Sequence, residues 1–184
     1  MQYQKQTKKH SEMKKTIWVN GLIGGSIVAV LMIASTFLSY GKSNYEASMA
    51  LTYLGMLLAF SFVFVGVKIF RDNHNSGVIS FGKAFKIGFL IALISSSIYV
   101  FVWLIEYYFF IPDFMEKYTA EMMKQFAEGN HTAAEIQAKT AELNGYKEMY
   151  KNPLWIIGMT YMEILPIGIV LSLIAALVFK RKSV

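Results

Sequence analysis

The stretch LWIIGMTYMEILPIGIVLSLIAALVF, Leu154 to Phe179, decides the fold. It carries a single formal charge, Glu163, among otherwise apolar or small residues. A helix rises about 1.5 Å per residue, so about 20 such residues cross the roughly 30 Å hydrocarbon layer of a bilayer. Three further stretches have the same character. They run from about Ile17 to Tyr40, from about Ala50 to Phe70 and from about Phe85 to Phe110. Inside lipid each must satisfy its own backbone polarity, and a helix does so. The first stretch follows basic residues as a signal peptide would, but its apolar run exceeds the usual 7–15-residue core (about that range for such leaders) and no small-x-small site follows. It reads as a retained span. The expected fold is therefore an all-α membrane protein, residues 1–184 forming one domain with four transmembrane helices in a bundle.

Composition agrees. Of 184 residues, 55% are hydrophobic and 16% charged, against about 25% charged in a typical soluble domain. The net charge of +6 does not point to nucleic acid, because the basic residues flank the apolar stretches, where they meet anionic lipid head groups. Lys5, Lys8, Lys9, Lys14 and Lys15 precede the first span, and Lys68, Arg71, Lys83 and Lys86 lie around the connection between the second and third. Lys180, Arg181 and Lys182 follow the fourth. Four spans put all of these on one side, which predicts cytoplasmic N- and C-termini. Lys83 and Lys86 are expected at head-group level.

The segment 111–153 is too polar to span. Pro112 with Asp113 and Glu116 suits a helix start. Phe114, Tyr118, Met122 and Phe126 recur at helical spacing, and Gly129-Asn130 offers a stop. Thr132-Ala-Ala-Glu135 reads as a capping box opening a second helix, along which Ile136, Thr140, Leu143 and Tyr150 share a face. An extracytoplasmic helical hairpin between spans three and four is the expectation, packed on its own bundle or presented to a partner.

Small residues mark the bundle-facing surfaces, since close packing rather than hydrophobicity drives helix association in lipid. Gly21, Gly25 and Ala29 do so in span one, Gly55, Ala59 and Gly66 in span two, and Gly88, Ala92 and Ser95 in span three. In span four, Gly158, Gly168, Ser172 and Ala176 lie roughly opposite Glu163, which shares its side with Met159, Ile167, Val170 and Ile174. That helix is expected to contact two surfaces, its own bundle and another subunit.

Glu163 is the leading polar candidate. A charge at its depth costs at least about 2.5–3.5 kcal/mol, so it must be paired, hydrated or protonated. No lysine or arginine matches its depth, whereas Ser96, Ser97 and Tyr99 on span three do. Pro166, three residues on, withholds a donor from the Met162 carbonyl and predicts a kink. Glu106, near the outer end of span three, is expected to reach interfacial water beside Tyr107 and Tyr108, or else to join an ion or substrate entrance. A structural and a functional role for Glu163 stay equally open.

Several chemistries are excluded. The chain has no cysteine, hence no thiolate metal site or cysteine nucleophile. His10, His74 and His131 are too far apart for a ligand pair on one turn, and the glycines form no phosphate-binding loop. No catalytic residue, cofactor or metal ligand is expected. What remains is a structural or accessory protein, with membrane lipids and a homo-oligomeric or membrane-protein partner, or a small oligomeric transporter or proton-coupled carrier using Glu163 with Tyr99 and Glu106.

Several separated motifs resemble one family in order. They are Phe70-Arg-Asp-Asn73, Ile79-Ser-Phe-Gly-Lys-Ala-Phe85, Pro112-Asp-Phe114, Asn152-Pro153 and Glu163-Ile-Leu-Pro166-Ile-Gly168. The chain resembles the bacterial membrane family catalogued as domain of unknown function 4199. The resemblance covers nearly everything after the basic tail. It implies a four-span protein of a bacterial cytoplasmic membrane and supplies no activity or catalytic residue.

Overall fold

A computed structural model describes residues 2–39 and 45–181. Six helices follow one another: α1 (Gln2–Ser39), α2 (Tyr45–Ile69), α3 (Phe81–Ile105), α4 (Phe114–Ala127), α5 (Ala133–Met149) and α6 (Pro153–Phe179). A widened π turn extends α2 over Phe70–His74, and another extends α3 over Glu106–Phe110. Among the described residues there is no strand. Ile79 and Arg181 exchange two backbone hydrogen bonds, at 3.0 and 2.9 Å, as an isolated bridge.

Among the described residues, four helical stretches are long and apolar enough to cross a membrane: Gln6–Leu38, Ala50–His74, Phe81–Phe110 and Pro153–Phe179. This is a multi-pass membrane protein. Helix α1 starts well before Ile17 because its basic leader, rich in glutamine and lysine and free of glycine and proline, favours helix too. Helix α3 begins directly after Ser80, whose carbonyl accepts the Ala84 N–H at 3.0 Å. The turn before it needs positive φ at Ser76 (58°) and Gly77 (75°), a conformation that glycine adopts without steric cost.

The described chain forms two compact units, Met1–Phe101 with Tyr161–Val184, and Val102–Thr160. In the first, Met56, Phe60, Val63, Val67, Ile87 and Ile91 are wholly buried. Helices approach closely at small residues. A Cβ on Gly24 would lie 2.7 Å from the Ala59 carbonyl oxygen, so α1 meets the α2 backbone directly. Ser95 on α3 donates to the Gly21 carbonyl of α1 at 3.0 Å, turning a buried hydroxyl into an interhelical tie.

In the second unit α4 and α5 pack side by side. The Thr140 hydroxyl lies 3.8 Å from the Met123 sulfur, and a cleft of about 160 Å³ is lined by Glu116, Thr119, Leu143 and Lys147, among others. The buried side of α4 is turned by one residue from the expected stripe. Met115 and Thr119 are buried, while Phe114, Tyr118 and Met122 are only half covered. Thr119 tolerates burial because its hydroxyl donates to the Met115 carbonyl at 2.7 Å. Trp103 meets Phe114 edge-on at 5.0 Å, and Phe114 stacks on Tyr118.

The capping box at α5 is formed. The Thr132 N–H donates to the Glu135 carboxylate at 2.7 Å, and the Glu135 N–H donates to the Thr132 hydroxyl at 3.3 Å. The Thr132 N–H, and then its hydroxyl, hold the Glu135 carboxyl below the usual carboxylate range. A depressed folded value means that the cap stabilises above the ordinary pKa and is lost as pH falls through the depressed one. The protection factors of the amides in the first turn of α5, with the intrinsic slowing of exchange in acid divided out, are therefore expected to fall several-fold on acidification, and Glu135→Ala should abolish that step.

Candidate intramembrane polar site

Helix α6 has two faces. Ile164, Gly168, Ser172 and Ala175 turn inward and are buried. A Cβ on Gly168 would meet Ala92 at 2.9 Å and the Phe60 ring at 3.1 Å, and Ser172 lies beside Gly88 of α3. Ser172 returns its hydroxyl to the Gly168 carbonyl at 2.7 Å, which leaves no polar group idle at this contact. Small residues thus seat α6 on α2 and α3, although Gly158 does not take part and is exposed.

Glu163 is on the other face. It is exposed, and it makes no hydrogen bond or ion pair among the described residues. It stands ten residues past Pro153, about 15 Å along the axis at 1.5 Å per residue. That is near the middle of a bilayer. Its neighbours on this face, Met159, Met162, Pro166 and Val170, are exposed too. The helix continues through Pro166.

The expected hydroxyl partners are elsewhere. Ser97 donates to the Leu93 carbonyl at 2.8 Å or pairs with the Tyr161 hydroxyl at 2.8 Å. Ser96 is wholly buried, with no acceptor for its hydroxyl among the described residues, and Tyr99 is buried at 4% exposure. None of the three reaches Glu163. Matching depth is not matching azimuth, because at about 100° per residue Tyr161 and Glu163 diverge by about 200°. Tyr161, missed in the sequence, falls on the side of Gly168 and Ser172, and that geometry was the available signal.

Glu106 also departs from expectation. It is buried at 4% exposure, while Tyr108, Phe109 and Phe110 are exposed. Glu106 lies seven residues past Tyr99, about 700° of helix, and so falls on the buried side that Ser95 and Tyr99 share, at the start of a π turn closed by the Ile111 N–H on the Glu106 carbonyl at 2.9 Å. Glu163 and Glu106 belong to different units.

At the other end of α3, Lys83 is half covered, 5.1 Å over the Phe70 ring, and Lys86 is exposed. Arg71 holds Asp72 at 2.6 Å and lies 5.1 Å over the Phe179 ring. His74 is 3.9 Å from Glu12 of α1. No group of three His, Cys, Asp or Glu side chains suited to a metal occurs among the described residues.

The model of a family described as protein of unknown function, DUF4199, matches residues 20–181. The chain belongs to that family. The match takes in the greater part of the first span, all of the other three, and both polar candidates of the DUF4199 region, Glu106 and Glu163. No curated protein and no solved structure matches the chain.

Proposed function

We propose that this DUF4199 protein is a non-enzymatic accessory component of a bacterial cytoplasmic membrane, with both termini cytoplasmic, acting by association. The observation that carries the reading is the outward carboxyl of Glu163. A lone bundle would leave that group in hydrocarbon at a cost of about 2.5–3.5 kcal/mol or more. A partner that covers this face removes the cost. The packed α4 and α5, as an extracytoplasmic hairpin, give a second surface for contact, and Lys83 and Lys86 meet lipid head groups.

Cross-linking in native membranes, read by mass spectrometry, tests the proposal. Cross-links from α6 to a stoichiometric partner are expected, and repeated recovery of the lone monomer would overturn the reading.

The outward carboxyl beside Pro166 also favours a second reading, a proton-coupled carrier. In liposomes the accessory reading expects wild type and Glu163→Gln to show the same proton flux, no higher than empty vesicles. A flux that disappears with Glu163→Gln would establish the carrier instead.

A further inference from the structure

Along the outward face of α6, Met159, Glu163, Pro166, Val170, Leu173 and Leu177 alternate in steps of four and three residues, and all six are exposed. This is the spacing of a coiled-coil seam, in which a second helix packs at a small angle. A seam of this kind in lipid needs nothing but tails if it is wholly apolar. Here one position is a carboxyl, for which tails offer neither donor nor acceptor.

We propose that the seam joins two copies of the chain, with Glu163 of each copy hydrogen-bonded to Glu163 of the other across a two-fold axis along the membrane normal. The proposal rests on the association reading and names its partner. Two copies inserted the same way place equal residues at equal depth, so an isologous contact brings Glu163 onto itself. A neutral carboxyl is both donor and acceptor, and a pair of them completes both. Each copy's site is incomplete without the other. A different protein would have to bring its own donor to this depth. Pro166 contributes twice: its ring sits in the seam, and its missing N–H leaves the Met162 carbonyl as a further acceptor beside the pair. The buried small-residue face of α6 is already occupied by α2 and α3, so the two contacts do not compete.

A cysteine scan of the full-length protein in native membranes tests this, because the chain has no cysteine of its own. With copper phenanthroline as oxidant, single cysteines at Met159, Val170, Leu173 and Leu177 are expected to give disulfide-linked dimers. Cysteines at Gly158, Ile169 and Val178, off the seam, should give few. Equal yields at all seven would overturn the seam. The polar pair is read separately, by the dimer fraction of labelled protein diluted in liposomes. Glu163→Met keeps the length and loses the hydrogen bonds, and is expected to weaken association about tenfold. Glu163→Gln, whose amide pairs with itself, should stay within about threefold of wild type. Equal association of wild type and Glu163→Met would overturn the carboxyl pair. Glu163 makes no hydrogen bond among the described residues, so unchanged thermal unfolding in both variants is the accompanying control. If α6 cross-links only to another protein, the copy-to-copy contact falls while the association reading stands. If it cross-links to nothing, both fall.

Discussion

Replacing Gly24 with alanine is expected to destabilise the first unit by about 1–3 kcal/mol, the usual cost of forcing extra volume into a packed contact. The new Cβ would stand 2.7 Å from the Ala59 carbonyl oxygen and 2.8 Å from the Ser95 hydroxyl. A carbonyl oxygen in α2 cannot swing aside as a flexible side chain can, so α1 itself must withdraw. Withdrawal lengthens the 3.0 Å hydrogen bond from Ser95 to Gly21 and opens the contact along its length. Thermal unfolding in mild detergent, followed by circular dichroism, measures the loss. Gly158→Ala is the matched control. Nothing lies within 4 Å of its Cβ position, so relief of the glycine penalty should leave stability unchanged or raise it by up to about 1 kcal/mol. Equal behaviour of the two variants would show that the α1–α2 approach is not as close as described.

Phe60→Ala carries the other large effect. Phe60 is wholly buried on α2, and its ring lies against the Gly168 position of α6. In water most of the cost of such a change is lost transfer from solvent, but an unfolded span still has lipid around it. The transfer contribution therefore nearly cancels, and the cavity remains. About 100 Å³ of lost side chain at about 24 cal/mol per Å³ gives roughly 2–3 kcal/mol. Phe60→Leu, which leaves a smaller void, should cost less than half as much in the same unfolding assay. A null effect of Phe60→Ala would mean that α6 closes onto α2 without strain.

The spans were legible because an apolar run of about 20 residues with almost no charge suits a bilayer and little else. The early start of α1 was not: the leader's charge marks it as outside the hydrocarbon, and charge does not stop a helix formed by lysine and glutamine. The two faces of α6 were also legible, since Gly168, Ser172 and Ala176 lie opposite Glu163 on any regular helix. Pairing Glu163 with Ser96, Ser97 or Tyr99 failed because it used depth without direction. Glu106 was misread for another reason. Its spacing of seven from Tyr99 puts it on the buried side, but its charge and its place near the end of the span argued for water instead.

The bridge between Ile79 and Arg181 has a bearing on all of this. Two backbone bonds anchor the residue just beyond α6 to the loop that precedes α3, eighteen residues along from Glu163. An anchored shaft cannot spin. Deleting one residue between them would advance the upstream half by about 100°, swinging the acid from the rim towards the position now held by Ile164. The compass bearing of a side chain at mid-depth is thus indexed from the far end of its helix, by a clasp that contains no side chain at all.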